Sequence, residues 1–166
     1  MIVGDEVAIN TNIANILMEK FGLTLEKAAI GISVFFAGET VARLGGAILL
    51  NWIKPRPFLL LTALVALAGV GGVLLSLVYF VALVFIFITG LGAGNMFPVI
   101  FSLSLEKMPD RANEISGLLI MAISGGAVIP PVVGLVSTVV SPFASMFVIG
   151  FCMLYVLWVS FYVKKH

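Results

Sequence analysis

The sequence predicts an all-α integral membrane protein, a six-helix bundle forming a single transmembrane domain over residues 1–166. Three observations carry that expectation. Hydrophobic residues make up 61% of the chain and charged residues 10%, whereas a soluble domain averages about 45–50% and 25%. Mean hydropathy is +1.23, so the chain lacks the residues for a solvated charged shell. The few charges are also spaced. Nothing between Arg56 and Glu106 ionises at neutral pH, nor between Glu114 and Lys164. Each gap is 49 residues long. One membrane helix needs roughly 20 residues, so each gap holds two spans joined by an uncharged turn.

The elements follow in order. Residues 1–18, "MIVGDEVAINTNIANILM", form a short helix that holds Asp5, Glu6, Asn10, Asn12 and Asn15 and cannot face lipid along its whole length. It reads as the second part of a helix whose beginning is absent, so the chain is expected to be a fragment or a truncated product. A second helix covers 28–52 and a third 57–75, with a turn near Ser76. A fourth covers 79–105, a fifth 113–138 and a sixth 142–163, the last opened by Pro142, which suits a first helical turn. Loops at 52–57 and 106–112 and the C-terminal residues 164–166 carry the clusters Lys54/Arg56, Lys107/Arg111 and Lys164/Lys165. Paired spans return the chain to its starting side, so these clusters share one face, and the positive-inside rule makes it cytoplasmic. Trp52, Tyr79, Phe80, Trp158 and Tyr162 fall near the span ends, where an aromatic belt belongs.

Several chemistries are excluded. Net charge is +1, which gives nucleic acid no electrostatic footing. Cys152 is the one cysteine, so no internal disulfide is possible. His166 is the one histidine and lies at the end of the sequence, so no Ser-His, Asp-Asp or metal-ligand arrangement is read, and neither a cofactor, a metal nor a catalytic group is expected. The acidic opening is not that of a signal peptide.

The stretch "FFAGETVARLGGAILL" places Glu39 and Arg43 inside an apolar helix. With that helix ending near Trp52, Arg43 lies ~13 Å and Glu39 ~20 Å from its end, close to mid-membrane. Each ionised group costs about 2.5–3.5 kcal/mol at a helix centre, so the pair must face protein or water. Spacing of four residues sets both on one face, acid first, the favoured order for an ion pair. Two readings stay open: a structural pair, or a carboxylate that lines a cavity and binds substrate or a coupling ion. In the first helix Glu6 and Asn10 share a face, as cavity-lining polar groups do. In "GLGAGNMFPVIF", Gly90 and Gly94 mark a close helix approach. Asn95 and Pro98 then interrupt the span, and Pro98 frees a backbone carbonyl. For Asn95, a hydrogen bond to a neighbouring helix and a substrate contact are both open. "SGGAVIPPVVG" bends the fifth helix through Gly125, Gly126, Pro130 and Pro131, which suits gating.

The run "MFPVIFSLSLEKMPDRANEISGLLIMAISGGAVIPPVVGLVS" resembles the tenth and eleventh helices of the fucose/glucose/galactose-type sugar permeases of the major facilitator superfamily. "ARLGGAILL" followed by "IKPRPFLL" is similar to that family's eighth helix, and "VGDEVAINTNI" to the second part of its seventh. The resemblance implies the C-terminal half of a twelve-helix fold, a sugar symporter of the bacterial inner membrane working by alternating access. Its implied partners are a fucose-, glucose- or galactose-like sugar, a proton or sodium ion, the lipid bilayer and a missing N-terminal six-helix half. Glu6, Asn10 and Asn95 would face the central cavity, and Arg43 with Lys54 and Arg56 would latch the inward face. Glu39 departs from the family's pattern, and the coupling carboxylates are expected in the missing half. The alternative is a self-contained small membrane protein that dimerises as a pore or scaffold.

Overall fold

A computed structural model describes residues 2–125 and 129–141, and beyond them Ala144, Phe147, Val148, Gly150, Phe151, Leu154, Tyr155, Leu157 and Trp158. Side chains are not described at 2–8, 10, 11, 122, 124, 125, 129 and 130. Among the described residues the helices are α1 (Ile2–Phe21), α2 (Leu25–Leu49), α3 (Pro55–Leu75), α4 (Tyr79–Ala93), α5 (Met96–Lys107), α6 (Ala112–Gly125) and α7 (Ile129–Val139), with a 3-10 turn at Pro109–Arg111. The described residues from Ala144 to Trp158 are helical too. Among the described residues three segments, Leu25–Leu49, Pro55–Leu75 and Tyr79–Lys107, are long and apolar enough to cross a membrane.

Local chemistry sets the ends. The first helix runs past Glu19 and Lys20 and stops at Gly22, whose φ of 62° is a left-handed value that glycine adopts freely. The second helix lies three residues earlier at each end than the expected 28–52. At its start, Glu26 sits in the first turn, where an acid is favourable. At its end, Asn51, Trp52 and Ile53 fold back onto the carbonyls of Ile48 and Leu49. Lys54 is extended (φ −61°, ψ 143°), as a residue before proline is biased to be. Pro55 then opens α3 where a missing N–H does no harm. The expected helix 79–105 is divided: Gly94 and Asn95 separate α4 from α5. In the expected fifth span, 113–138, the described parts are α6 and α7, and Gly126 lies outside the described residues. So do residues 164–166 and Cys152.

The packing alternates up and down. Lys20 Nζ donates to the carbonyls of Val73 (2.8 Å) and Leu74 (2.6 Å) at the end of α3, supplying donors its last turn lacks. Tyr79 Oη donates to the Lys27 carbonyl at 3.1 Å, and the Tyr79 ring meets Phe21 edge-on at 6.0 Å. The ends of α1 and α3 and the starts of α2 and α4 therefore lie together. The core is built from Ile9, Ile13, Ile16 and Leu17 of α1, Phe35 of α2, Ala63 and Ala66 of α3, Ile86 of α4, Val99 of α5 and Val133 of α7.

Helix α4 is the centre of the described bundle, packed on α2 along one side and α3 along the other. Against α3, Gly92 rests on the backbone of Ala66. Against α2 the approach is closer. A Cβ on Gly38 would press on the Phe87 carbonyl and lie 3.2 Å from the Leu91 amide, and a Cβ on Gly90 would press on the Phe35 carbonyl. In lipid, where apolar surface gives helices no reason to associate, such backbone-level packing is a main source of attraction. Replacing Gly38 by Ala should lower stability by about 1–3 kcal/mol through overpacking. Gly45→Ala, with nothing within 4 Å of the added carbon, should be neutral or gain up to about 1 kcal/mol from helix propensity. Denaturant unfolding in detergent micelles checks this, and equal effects at both positions would contradict the packing.

Candidate functional site

Glu39 is the fifteenth of the 25 residues of α2, which puts it roughly 15 Å from the Leu49 end and 21 Å from the Leu25 end. It is therefore a mid-span carboxylate. Its side chain is 4% exposed, and Oε2 lies 3.5 Å from Nη2 of Arg43, whose own side chain is 57% exposed. The other carboxylate oxygen, Oε1, is also buried. The guanidinium does more than neutralise its neighbour. Arg43 Nε donates to the carbonyl of Gly94 at 3.3 Å.

That carbonyl has a reason to need a donor. In an unbroken helix it would accept from the amide four residues on, and residue 98 is proline, which has none. Arg43 thus serves the oxygen that Pro98 leaves open. The next residue makes the reverse exchange. Asn95 sits between α4 and α5 with φ −108° and ψ −5°, makes no capping bond with its side chain, and donates through Nδ2 to the Ala42 carbonyl of α2. Gly46 makes room for it, since a Cβ there would lie 2.6 Å from both Cγ and Oδ1 of Asn95. Gly94 is also close to α2 but less tightly seated, its Cβ position 2.9 Å from the Glu39 carbonyl oxygen, 3.0 Å from the Glu39 Cα and 3.1 Å from the Ala42 Cβ. Gly38, Ala42 and Gly46, four residues apart, form the groove that admits the α4–α5 break, and Glu39 and Arg43 flank it.

The structure brings together three of the residues that the sequence singles out: Glu39, Arg43 and Asn95. Pro98 acts on the same cluster through the backbone while itself exposed. For Asn95 the neighbouring-helix bond is the arrangement observed. Arg43 is not joined to Lys54 and Arg56, which line a separate cleft with Lys107. Glu6 and Asn10 lie on α1, with their side chains outside the described residues, while Asn12 of the same helix is buried at 2% exposure. Gly125 ends α6, and Pro130 is the second residue of α7. The sequence signal missed was the four-residue repeat of small side chains at 38, 42 and 46. The accepting carbonyls of Ala42 and Gly94 have no signal of their own, because every residue carries one.

The family model described as Major Facilitator Superfamily matches residues 1–166. The chain belongs to that superfamily. Its helical segments fit half of the major facilitator fold. It is 31% identical over 170 residues to a Helicobacter pylori protein provisionally named a glucose/galactose transporter, covering 98% of the chain and 40% of that protein. A second protein of that name, from another Helicobacter pylori strain, is 34% identical over 81% of the chain and 33% of its own length. A Brucella abortus protein named glucose/galactose transporter is 31% identical over 80% of the chain and 32% of its own length. The chain thus spans about a third to two fifths of these relatives. No solved structure matches it at a significant level.

The exchange between α2 and the break in this facilitator chain has a measurable signature. Pro98→Ala returns an amide to the Gly94 carbonyl, so Arg43→Gln should be less destabilising in that background than alone. A coupling of about 0.5–3 kcal/mol is expected from a double-mutant cycle in micelles. Strict additivity would mean that the guanidinium does not serve that carbonyl.

Proposed function

We propose that the chain forms the C-terminal half of a secondary active transporter that carries a hexose of the glucose or galactose type by alternating access. The name shared by the relatives supports the substrate class, and membership of the superfamily supports transport over catalysis. The observation that carries the mechanism is the mid-membrane cluster of Glu39, Arg43 and Asn95 at a broken helix. Buried ionisable groups in spans are costly and usually mark the route of a substrate or ion. Broken helices are where such routes bend.

In this reading the break at Gly94–Asn95 is the joint, and the Arg43 bond to the Gly94 carbonyl is its catch. Letting go of that carbonyl frees α5 to tilt against α4 and turns Glu39 toward a cavity shared with the other half. A carboxylate accepts hydrogen bonds from two adjacent sugar hydroxyls, and the carboxamides of Asn10 and Asn95 both donate and accept. Glu6 adds a second acceptor from α1. Coupling to a proton or sodium ion depends on carboxylates supplied by the N-terminal half, and the basic residues at one end hold the C-terminus in the cytoplasm of a bacterium.

Uptake of labelled glucose and galactose tests this in a host without hexose carriers, expressing the complete coding region. Uptake above the empty-vector level is expected. A charged hydrogen bond contributes about 1.5–3 kcal/mol, so Glu39→Gln should reduce uptake roughly tenfold to a hundredfold at equal membrane abundance. Uptake no greater than the vector's would reject the substrate class, and full uptake by Glu39→Gln would restrict the carboxylate to a structural role.

A further inference from the structure

The end of the bundle away from Lys20 and Tyr79 carries a different kind of feature. Lys54, Pro55 and Arg56 at the start of α3 and Leu103, Glu106 and Lys107 at the end of α5 line an open cleft of about 530 Å³. Three cations stand there against one carboxylate, all four exposed. Among the described residues none of the four is in an ion pair, although they share one cleft. The first turn of α3 holds no acidic residue. The positive end of its dipole and the negative end of the dipole of α5, which closes at Lys107, both lie at the cleft and offset each other, so the side-chain charges decide the field. The whole chain has a net charge of only +1. The positive potential is therefore local to this place.

Its height in the membrane narrows the ligand. The walls lie at the ends of two segments long and apolar enough to span a bilayer, Pro55–Leu75 and Tyr79–Lys107, so the cleft lies where hydrocarbon gives way to headgroups. Trp52, 80% exposed and two residues before Lys54, is of the type that settles at that level. The half-buried Leu103 and Pro55 place apolar surface beside the cations. A ligand with a phosphate joined to hydrocarbon satisfies both. We propose that this cleft binds the phosphodiester headgroup of an anionic phospholipid. The bound lipid bridges α3 to α5 and steadies the segment beyond the Gly94–Asn95 break. The assignment is independent of what the protein carries and needs only its place in the bilayer.

Native mass spectrometry of the purified chain with equal amounts of phosphatidylglycerol and phosphatidylcholine tests it. Each basic residue near an anionic surface is worth a factor of about five. Wild type should retain phosphatidylglycerol preferentially, and the Lys54→Gln/Arg56→Gln/Lys107→Gln variant should lose that preference by about tenfold or more. Glu106→Gln should raise it, which keeps the test decisive should the triple variant fail to fold. Lys27→Gln, one charge removed at the opposite end, should leave it unchanged. Equal retention of the two lipids by wild type would overturn the proposal, as would an unaltered preference in the triple variant or an equal loss in Lys27→Gln. Added inorganic phosphate should not displace the lipid; displacement would reassign the cleft to a free anion.

Discussion

Pro98 carries no amide hydrogen, so the carbonyl four residues before it, at Gly94, has to find a donor elsewhere. In water a solvent molecule would do. Within a bilayer the protein must provide one, since an unsatisfied carbonyl in hydrocarbon costs several kcal/mol. Arg43 of α2 provides it at 3.3 Å, and Asn95 repays α2 by donating to Ala42. A charge that would be expensive alone in mid-membrane thus has two acceptors, the carbonyl and Glu39, and a helix that would otherwise fray at its break is tied to its neighbour.

This exchange depends on how near the backbones come. Side chains at 38, 46 or 90 would hold α2 and α4 apart, and the bonds to backbone oxygens would lengthen beyond use, whereas at 94 an added carbon needs its neighbours to give by only a few tenths of an ångström. Glycine therefore does here what hydrophobic burial does in water: it brings the helices together, through contact between main chains. The same geometry explains an asymmetry in the pair. Glu39 is enclosed by the crossing while Arg43 reaches out of it, 4% against 57% exposed. A buried acid held by a half-exposed base can be uncovered by moving the base alone, which is why the pair suits a joint as well as a brace.

Much of this was legible in the residues. The charge-free gap 57–105 is filled by two spans, Pro55–Leu75 and Tyr79–Lys107, as its length requires, because lipid tolerates so few ionised groups that their positions mark the ends. The spacing of Glu39 and Arg43 declared one helix face, and Pro98 announced a freed carbonyl. The identity of the donor was not legible, since it depends on which helix crosses at that height. Asn95 looked equally fit for substrate or for a helix contact, because a carboxamide serves both. The limits of α2 are displaced because charge marks the membrane edge, whereas the extended Thr24 marks the start of the helix and the turn at residues 51–53 marks its end. Lys54, Arg56 and Lys107 could be assigned to one side from their spacing, but their gathering around one cleft follows from the packing of α3 on α5.

The account stands on α2 lying against the α4–α5 break at backbone distance, and cross-linking measures that directly. Cysteines placed at Ala42 and Gly94, in a chain with Cys152→Ser, would have Cβ positions 3.1 Å apart, within a few tenths of an ångström of the range a disulfide takes up. Mild oxidation in native membranes should convert the pair to an intramolecular disulfide, seen as a shift in electrophoretic mobility that reductant reverses. A pair that stays reduced, in a variant of normal abundance, would contradict the crossing and with it the exchange between Arg43 and Gly94.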